Sequence, residues 1–328
     1  MEATKIQKEI AEIKKEIAKL KNEVAKIVVG QEKVIDGLLR GLLSNGHVLI
    51  EGVPGIAKTL IVRALAMASG CEFSRIQFTV DLLPTDIIGI TGYSEKHGLH
   101  VIKGPIFANF VMADEVNRAP PKTQSALLEA MQEKQSTIGN QTFKLSPPFF
   151  VMATQNPIES SGTYPLPEAQ LDRFLFKLFI NYPTLDDEQL ILKQNMTLRD
   201  FTDYKINAVI SARKLIKMQK FVKSIHISKD VEKYIVRIVD ATRNPVAYNL
   251  KLGKYIEYGV SPRASIGLYI ASKADALLNG HAFVTPQNVK NVAHDVFRHR
   301  LLINYEGQAD EIKTDQIITE ILSKVKVP

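Results

Sequence analysis

Only one cysteine, Cys71, occurs among 328 residues. An internal disulfide and a thiolate zinc cluster are therefore excluded. The seven histidines show no metal-ligand spacing, and no apolar run approaches the roughly 20 residues that span a bilayer. Membrane insertion is not expected. The Lys/Glu-rich N-terminus lacks the continuous apolar stretch of a secretory signal, so the expected location is cytoplasmic. What is present fits an ordinary globular protein: 45% hydrophobic and 23% charged residues, in a chain long enough for two domains at about 100–200 residues each. The net charge of +7 is uneven. Residues 1–189 carry 20 Lys/Arg against 22 Asp/Glu, and residues 190–328 carry 22 against 13. Basic and aromatic residues do not interleave in the C-terminal part, so its excess reads as a solvated surface rather than a nucleic-acid footprint.

Residues 4–27 place Ile6, Ile10, Ile13, Ile17, Leu20, Val24 and Ile27 at spacings of three and four among alternating Lys and Glu. The pattern predicts an amphipathic helix, either a coiled-coil arm or a helix docked on the domain that follows. Strand and helix signals then alternate. Strands are expected at 47–51, 72–78, 109–113, 149–154 and 176–180, with helices at 58–69 and 122–133. This alternation predicts an α/β core with a mainly parallel sheet covered on both faces. Residues 88–104 and 135–145 interrupt it as hairpins, the second turning at Gly139-Asn140, where a leading glycine suits a II′ turn. After Pro183 the strand signals stop. Helices are expected at 231–242, 264–279, 286–302 and 310–325. The organisation is thus an N-terminal helix (1–27), an α/β core (28–183) and a helical domain (184–328).

Gly52-Val53-Pro54-Gly55-Ile56-Ala57-Lys58-Thr59 lies between a strand and a helix, the context a phosphate loop requires. Backbone N–H groups at a helix N-terminus point at anionic oxygens, and Lys58 adds a point charge. Thr59 offers a hydroxyl to Mg²⁺, and Leu60 continues the contacting stretch. Ala57 stands where glycine is usual, and a positive φ is disfavoured for alanine. Phe110 to Glu115 is an apolar strand ending in two carboxylates, Asp114 suited to a water-mediated hold on Mg²⁺ and Glu115 to polarising an attacking water. Such a pair alone also suits a helix N-cap. Asn156, just past the strand at 149–154, could orient that water, or could be an ordinary turn residue before Pro157.

In order, the phosphate loop, Asp114-Glu115, Asn156, Leu171-Asp172-Arg173-Phe174 and Ser261-Pro262-Arg263 resemble Walker A, Walker B, sensor 1, arginine finger and sensor 2 of AAA+ ATPases. Residues 113–122, 153–157 and 162–174 resemble signatures of the MoxR subfamily, and the likeness runs from about Val28 to the C-terminus. Ala57 agrees with the MoxR form of the loop. The resemblance implies a P-loop NTPase core of AAA+ type with β-hairpin inserts and a helical lid, assembled as a homo-oligomeric ring, usually a hexamer. ATP and Mg²⁺ are the implied cofactors. Glu115, Asn156, Arg173 and Arg263 are then catalytic, Thr59 and Asp114 metal-holding, and Val29 and Gly30 lie beside adenine. Arg118 falls where a second interface residue could lie, or forms a simple salt bridge. Tyr93 and His97 are contact candidates on the first hairpin. The implied work is chaperone-like remodelling or maturation of a client protein, often with a partner bearing a von Willebrand factor A-type domain. Alternatives are an assembly switch resembling the magnesium-chelatase motor subunit, or a nucleic-acid motor, for which the basic C-terminal part is the only support.

Overall fold

The computed structural model describes residues 2–53, 55, 57–95, 98–156, 162–194 and 200–328. His97, Pro54 and Ile56, named above, lie outside them. The strands in chain order are β1 (Val48–Glu51), β2 (Phe73–Gln77), β3 (Gly89–Ser94), β4 (Gly98–Lys103), β5 (Phe110–Asp114), β6 (Gln135–Ile138), β7 (Gln141–Lys144), β8 (Phe150–Gln155) and β9 (Phe176–Phe179). Five of them form one parallel sheet in the order β2-β5-β8-β1-β9. Successive side chains point to opposite faces. Accordingly Val48, Ile50, Phe110, Met112, Phe150 and Met152 enter one apolar cluster, whereas Leu49, Val111, Ala113, Val151 and Ala153 enter another. Both faces are covered, which is why these strands read as unbroken apolar runs.

Helices α1 (Glu2–Ala25) and α2 (Glu32–Leu43) precede the sheet. Between its strands lie α3 (Lys58–Ala68), α4 (Pro84–Ile88), α5 (Pro121–Glu133) and α6 (Glu168–Leu171). After it come α7 (Leu185–Gln194), α8 (Ala212–Val222), α9 (Lys229–Arg243), α10 (Pro262–Asn279), α11 (Pro286–Phe297), α12 (Tyr305–Ala309) and α13 (Thr314–Lys324). The apolar stripe of α1 is buried from Ile10 to Val24 against α3 and α10, so α1 docks rather than projects as an arm. Salt bridges from Lys21 to Asp36 and from Lys214 to Glu16 flank the stripe.

The hairpins form at β3–β4 and β6–β7, the latter turning at Gly139 with φ 58°. Asn140 is not among the positive-φ residues, consistent with the II′ turn. Three expectations for the C-terminal part need correction. The helix expected to reach residue 302 ends at Phe297. The helix expected at 310–325 begins only at Thr314, as α13, and a separate short helix, α12, precedes it at Tyr305–Ala309. Strands also do not stop at Pro183: β10 (Ile256–Tyr258) pairs antiparallel with β11 (Leu302–Ile303). Two- and three-residue strands are too short to leave a period-two signal, and Leu302 and Ile303 extend the helical apolar pattern past its true end.

Candidate active site

Because the core strands run parallel, β1, β5 and β8 deliver their C-terminal residues to one edge of the sheet, where ligands of open α/β folds bind. Past β1 come Gly52 and Val53, then Gly55 (φ 84°) and Ala57 (φ 59°), both left-handed, before α3 begins at Lys58. For alanine that conformation costs about 1–2 kcal/mol. Neither a capping side chain nor an acidic residue occupies the first turn of α3, so its leading N–H groups are left for an outside anion. Lys58 Nζ donates to the Gly52 carbonyl. Partial burial holds its pKa below the usual lysine range, opposed by Asp114, Glu115 and Glu51.

Asp114 ends β5, and Glu115 follows in the left-handed region (φ 56°, ψ 49°). Thr154 at the end of β8 joins the two: its Oγ1 donates to Asp114 Oδ1 (2.6 Å) and accepts from the Glu115 N–H (2.8 Å). Asp114 Oδ2 accepts two bonds from Arg75, from Nη2 at 2.6 Å and Nε at 3.1 Å. Glu115 Oε2 accepts from Gln77 Nε2 (2.8 Å) and pairs with Arg118 Nε (3.1 Å). The side chain of Glu115 caps no helix, and Arg118 takes the salt-bridge role anticipated for it.

These groups share a cleft of about 870 Å³. Of the candidates, Val29, Gly55, Ala57, Lys58, Thr59, Leu60, Asp114, Glu115 and Asn156 line it. Gly30 (φ 70°) packs on Asp187 so closely that a Cβ would stand 2.5 Å from the carboxylate, so any other residue there is strained and must displace that side chain. The apolar end of the cleft is closed by Ile27, Val28, Tyr182, Ile191 and Leu192.

Arg173 and Arg263 are not among the residues lining this cleft. They line a second cavity of about 250 Å³ with Asp172, Arg300 and Ile266. There the Asp172 carboxylate accepts from Ser261 Oγ (3.0 and 3.2 Å), Arg300 Nε (2.7 Å) and Arg263 Nη1 (3.5 Å). Arg173 is exposed beside them.

Residues 47–176 match the family model described as ATPase family associated with various cellular activities (AAA), and residues 253–321 match the AAA lid domain. Chaperone MoxR1 of Mycobacterium tuberculosis is 46% identical over 303 residues, 92% of this chain and 79% of that one. The chain belongs to the MoxR family of AAA ATPases. Protein MoxR of Paracoccus denitrificans is 31% identical over 317 residues, 92% of this chain and 93% of that one. A crystal structure of a proposed ATPase from Cytophaga hutchinsonii superposes with a TM-score of 0.93 at 45% identity, covering 100% of this chain and 99% of that one. The protein is an ATPase, and the family's nucleotide binding comes with it.

Among the described residues, this MoxR ATPase has no cluster of three or more His, Cys, Asp or Glu that could hold a metal by itself. A hydroxyl at Thr59 and a carboxylate at Asp114 are hard oxygen donors of the kind Mg²⁺ takes together with water and phosphate oxygens. A cation also already sits on that carboxylate, the Arg75 guanidinium. The donor set fits Mg²⁺. Arg75, Gln77, Thr154 and the wall at Tyr182, Ile191 and Leu192 escaped the sequence reading, as did the anchoring role of Asp172. Only the alternation of polar Arg75 and Gln77 along β2 could have flagged the first two.

Proposed function

We propose that this MoxR ATPase binds Mg·ATP in the larger cleft and hydrolyses it to ADP and phosphate within a ring of identical subunits, hexameric by family likeness. Each turnover drives remodelling or maturation of a partner protein in the cytoplasm. In this reading residues 28–183 are the motor core and 184–328 its lid. Adenine lies beside Val29 and Gly30, against Tyr182 and Ile191. The backbone from Gly52 to Ala57, through Val53, Pro54, Gly55 and Ile56, cradles the phosphates, with Lys58 neutralising their charge and Leu60 completing the wall. Thr59 and Asp114 hold Mg²⁺, which when bound stabilises charge on the phosphate oxygens. Glu115 accepts the proton of the attacking water, and Asn156 orients it.

The observation that carries this reading is the division of the machinery between two cavities. Lysine, carboxylates and Asn156 meet in one; Arg173 and Arg263 face outward together in the other. A site that lacks its arginines in one subunit is completed by those of the next, so both arginines act in trans. Besides the client, a partner of the ATPase is expected to carry a von Willebrand factor A-type domain.

Lys58→Ala should lose ATP binding in equilibrium dialysis. Glu115→Gln should bind ATP yet hydrolyse it about 10²–10⁴-fold more slowly, the range a general base contributes, and should retain the partner protein in its ATP-loaded state. Wild-type affinity in the first variant or near-normal turnover in the second would remove these residues from their roles.

A further inference from the structure

Arg75 belongs to no motif, yet it puts a positive charge in close contact with the carboxylate at the metal end of the cleft. It lies on β2, two residues before Gln77 and so on the same face of the strand. Its guanidinium donates twice to Asp114 Oδ2 and, from Nη2, once to Gln77 Oε1 at 2.6 Å. Gln77 in turn donates Nε2 to Glu115 (2.8 Å). One connected chain therefore runs Asp114–Arg75–Gln77–Glu115. Asp114 is 14% exposed at its side chain and Arg75 47%, so the anion is largely enclosed while the cation can swing into solvent without uncovering a core.

We infer that Arg75 is a resident counter-ion for Asp114 that competes with Mg²⁺ and, through Gln77, links metal loading to the freedom of Glu115. The inference rests on the proposed nucleotide site. An ionised carboxylate beside Glu115 is stabilised by an opposite charge. In the ligand-free protein, Arg75 supplies it. A guanidinium and a divalent cation repel when both approach the same carboxylate oxygen, so the metal, or the waters that link it to Asp114, gains Oδ2 only as Arg75 withdraws. Withdrawal also removes the bond that orients the Gln77 carboxamide, whose other end grips Glu115. The base is thereby loosened when the metal site fills. Arg75 is a positioning residue, acting through Asp114 and Gln77 rather than on the substrate.

The test is binding of a fluorescent N-methylanthraniloyl-ADP to the full chain in EDTA and across a Mg²⁺ titration, for wild type, Arg75→Gln and Arg75→Lys. Removing the competitor should lower the half-saturating Mg²⁺ concentration for nucleotide binding in Arg75→Gln by about tenfold, within the range of ordinary site-to-site coupling. In EDTA the same variant should bind the nucleotide more weakly than wild type, because the bare Asp114 carboxylate then faces the phosphates. Arg75→Lys keeps the charge and should fall between the two. A merely structural role would weaken binding under both conditions. An unchanged or raised Mg²⁺ requirement in Arg75→Gln overturns the inference. Binding that survives unaltered in Lys58→Ala would instead overturn the nucleotide site on which it rests.

Discussion

At the start of β1, His47 is enclosed between the sheet and α5. Its Nε2–H donates to the Met131 carbonyl (3.1 Å), and Nδ1 accepts from the Val151 N–H (3.0 Å). A second proton would set Nδ1–H against that N–H, and burial penalises the charge, so the pKa is pushed down to about 4 from 6.5. His299, buried with Nε2 against the Phe174 carbonyl (2.9 Å), is shifted in the same direction. Below pH 6.5 the unfolded chain takes up protons that the folded one refuses, so stability falls as pH drops toward 4 and is complete above 6.5. For His47 alone the loss by pH 5 is about 2 kcal/mol. Urea denaturation midpoints at pH 7.5 and 5.0 should show that loss, and His47→Gln should be less stable at pH 7.5 but less sensitive to the change. Equal midpoints at the two pH values in wild type would contradict this assignment. At this scale the site was legible where function is contiguous. Gly52 to Thr59 and Asp114-Glu115 announce themselves by spacing, whereas Arg75 and Gln77 reach their partners from 39 and 38 residues away. The left-handed Ala57 was also missed, since the surrounding loop overrides the local preference.

Among the elements, the β3–β4 hairpin stands out for what it leaves uncovered. Tyr93 and Leu99 sit opposite each other and are 74% and 77% exposed, with Ile90 and Ile102 about half exposed on the same ribbon. None of the four lines the larger cleft, so their apolar surface has no use in ATP chemistry. Replacing Ser94 to Gly98 by a two-residue Asn-Gly turn should leave basal ATPase rate intact while abolishing partner-dependent work, because exposed loops on a rigid scaffold tolerate shortening. Loss of basal turnover in a folded, still oligomeric variant would refute the separation. The core strands were readable to within one or two residues because a sheet buried on both faces writes continuous apolar runs. The helical part was readable only coarsely. At its C-terminal end, breaks such as the one at Asn304, which caps α12, divide what looks like continuous periodicity, and what sets their position is contact with residues distant in sequence, such as the Asn304 N–H donating to the Tyr255 carbonyl at 2.9 Å.

Over the whole molecule the decisive prediction concerns assembly. With Arg173 acting on a neighbour's nucleotide, specific ATPase activity should rise with protein concentration, and Arg173→Ala should bind ATP but hydrolyse it about 10³–10⁵-fold more slowly, as arginine fingers do generally. Mixing Arg173→Ala with Lys58→Ala should restore part of the activity, since a site with intact Lys58 can take Arg173 from the other variant. Mixed oligomers that stay inactive, or dilute monomers that work at full rate, would remove the ring from the mechanism. The sequence order of the motifs could not reveal that the two arginines lie together and away from Lys58, because that depends on how α10 folds back beside Asp172 and Leu175, just ahead of β9. Asp172 is what fastens it there, taking Ser261 and Arg263 from the start of α10 and Arg300 from beyond α11. One peptide bond therefore separates the side chain that grips a subunit's own helices from the side chain that, in the proposed ring, reaches across to the next subunit. If the ring forms as proposed, the two make a rocker in mechanical terms, with the backbone between Asp172 and Arg173 as its pivot: a pull on Arg173 from a neighbour's phosphate would be a torque on α10, and strain would pass from one member to the next without any separate linkage.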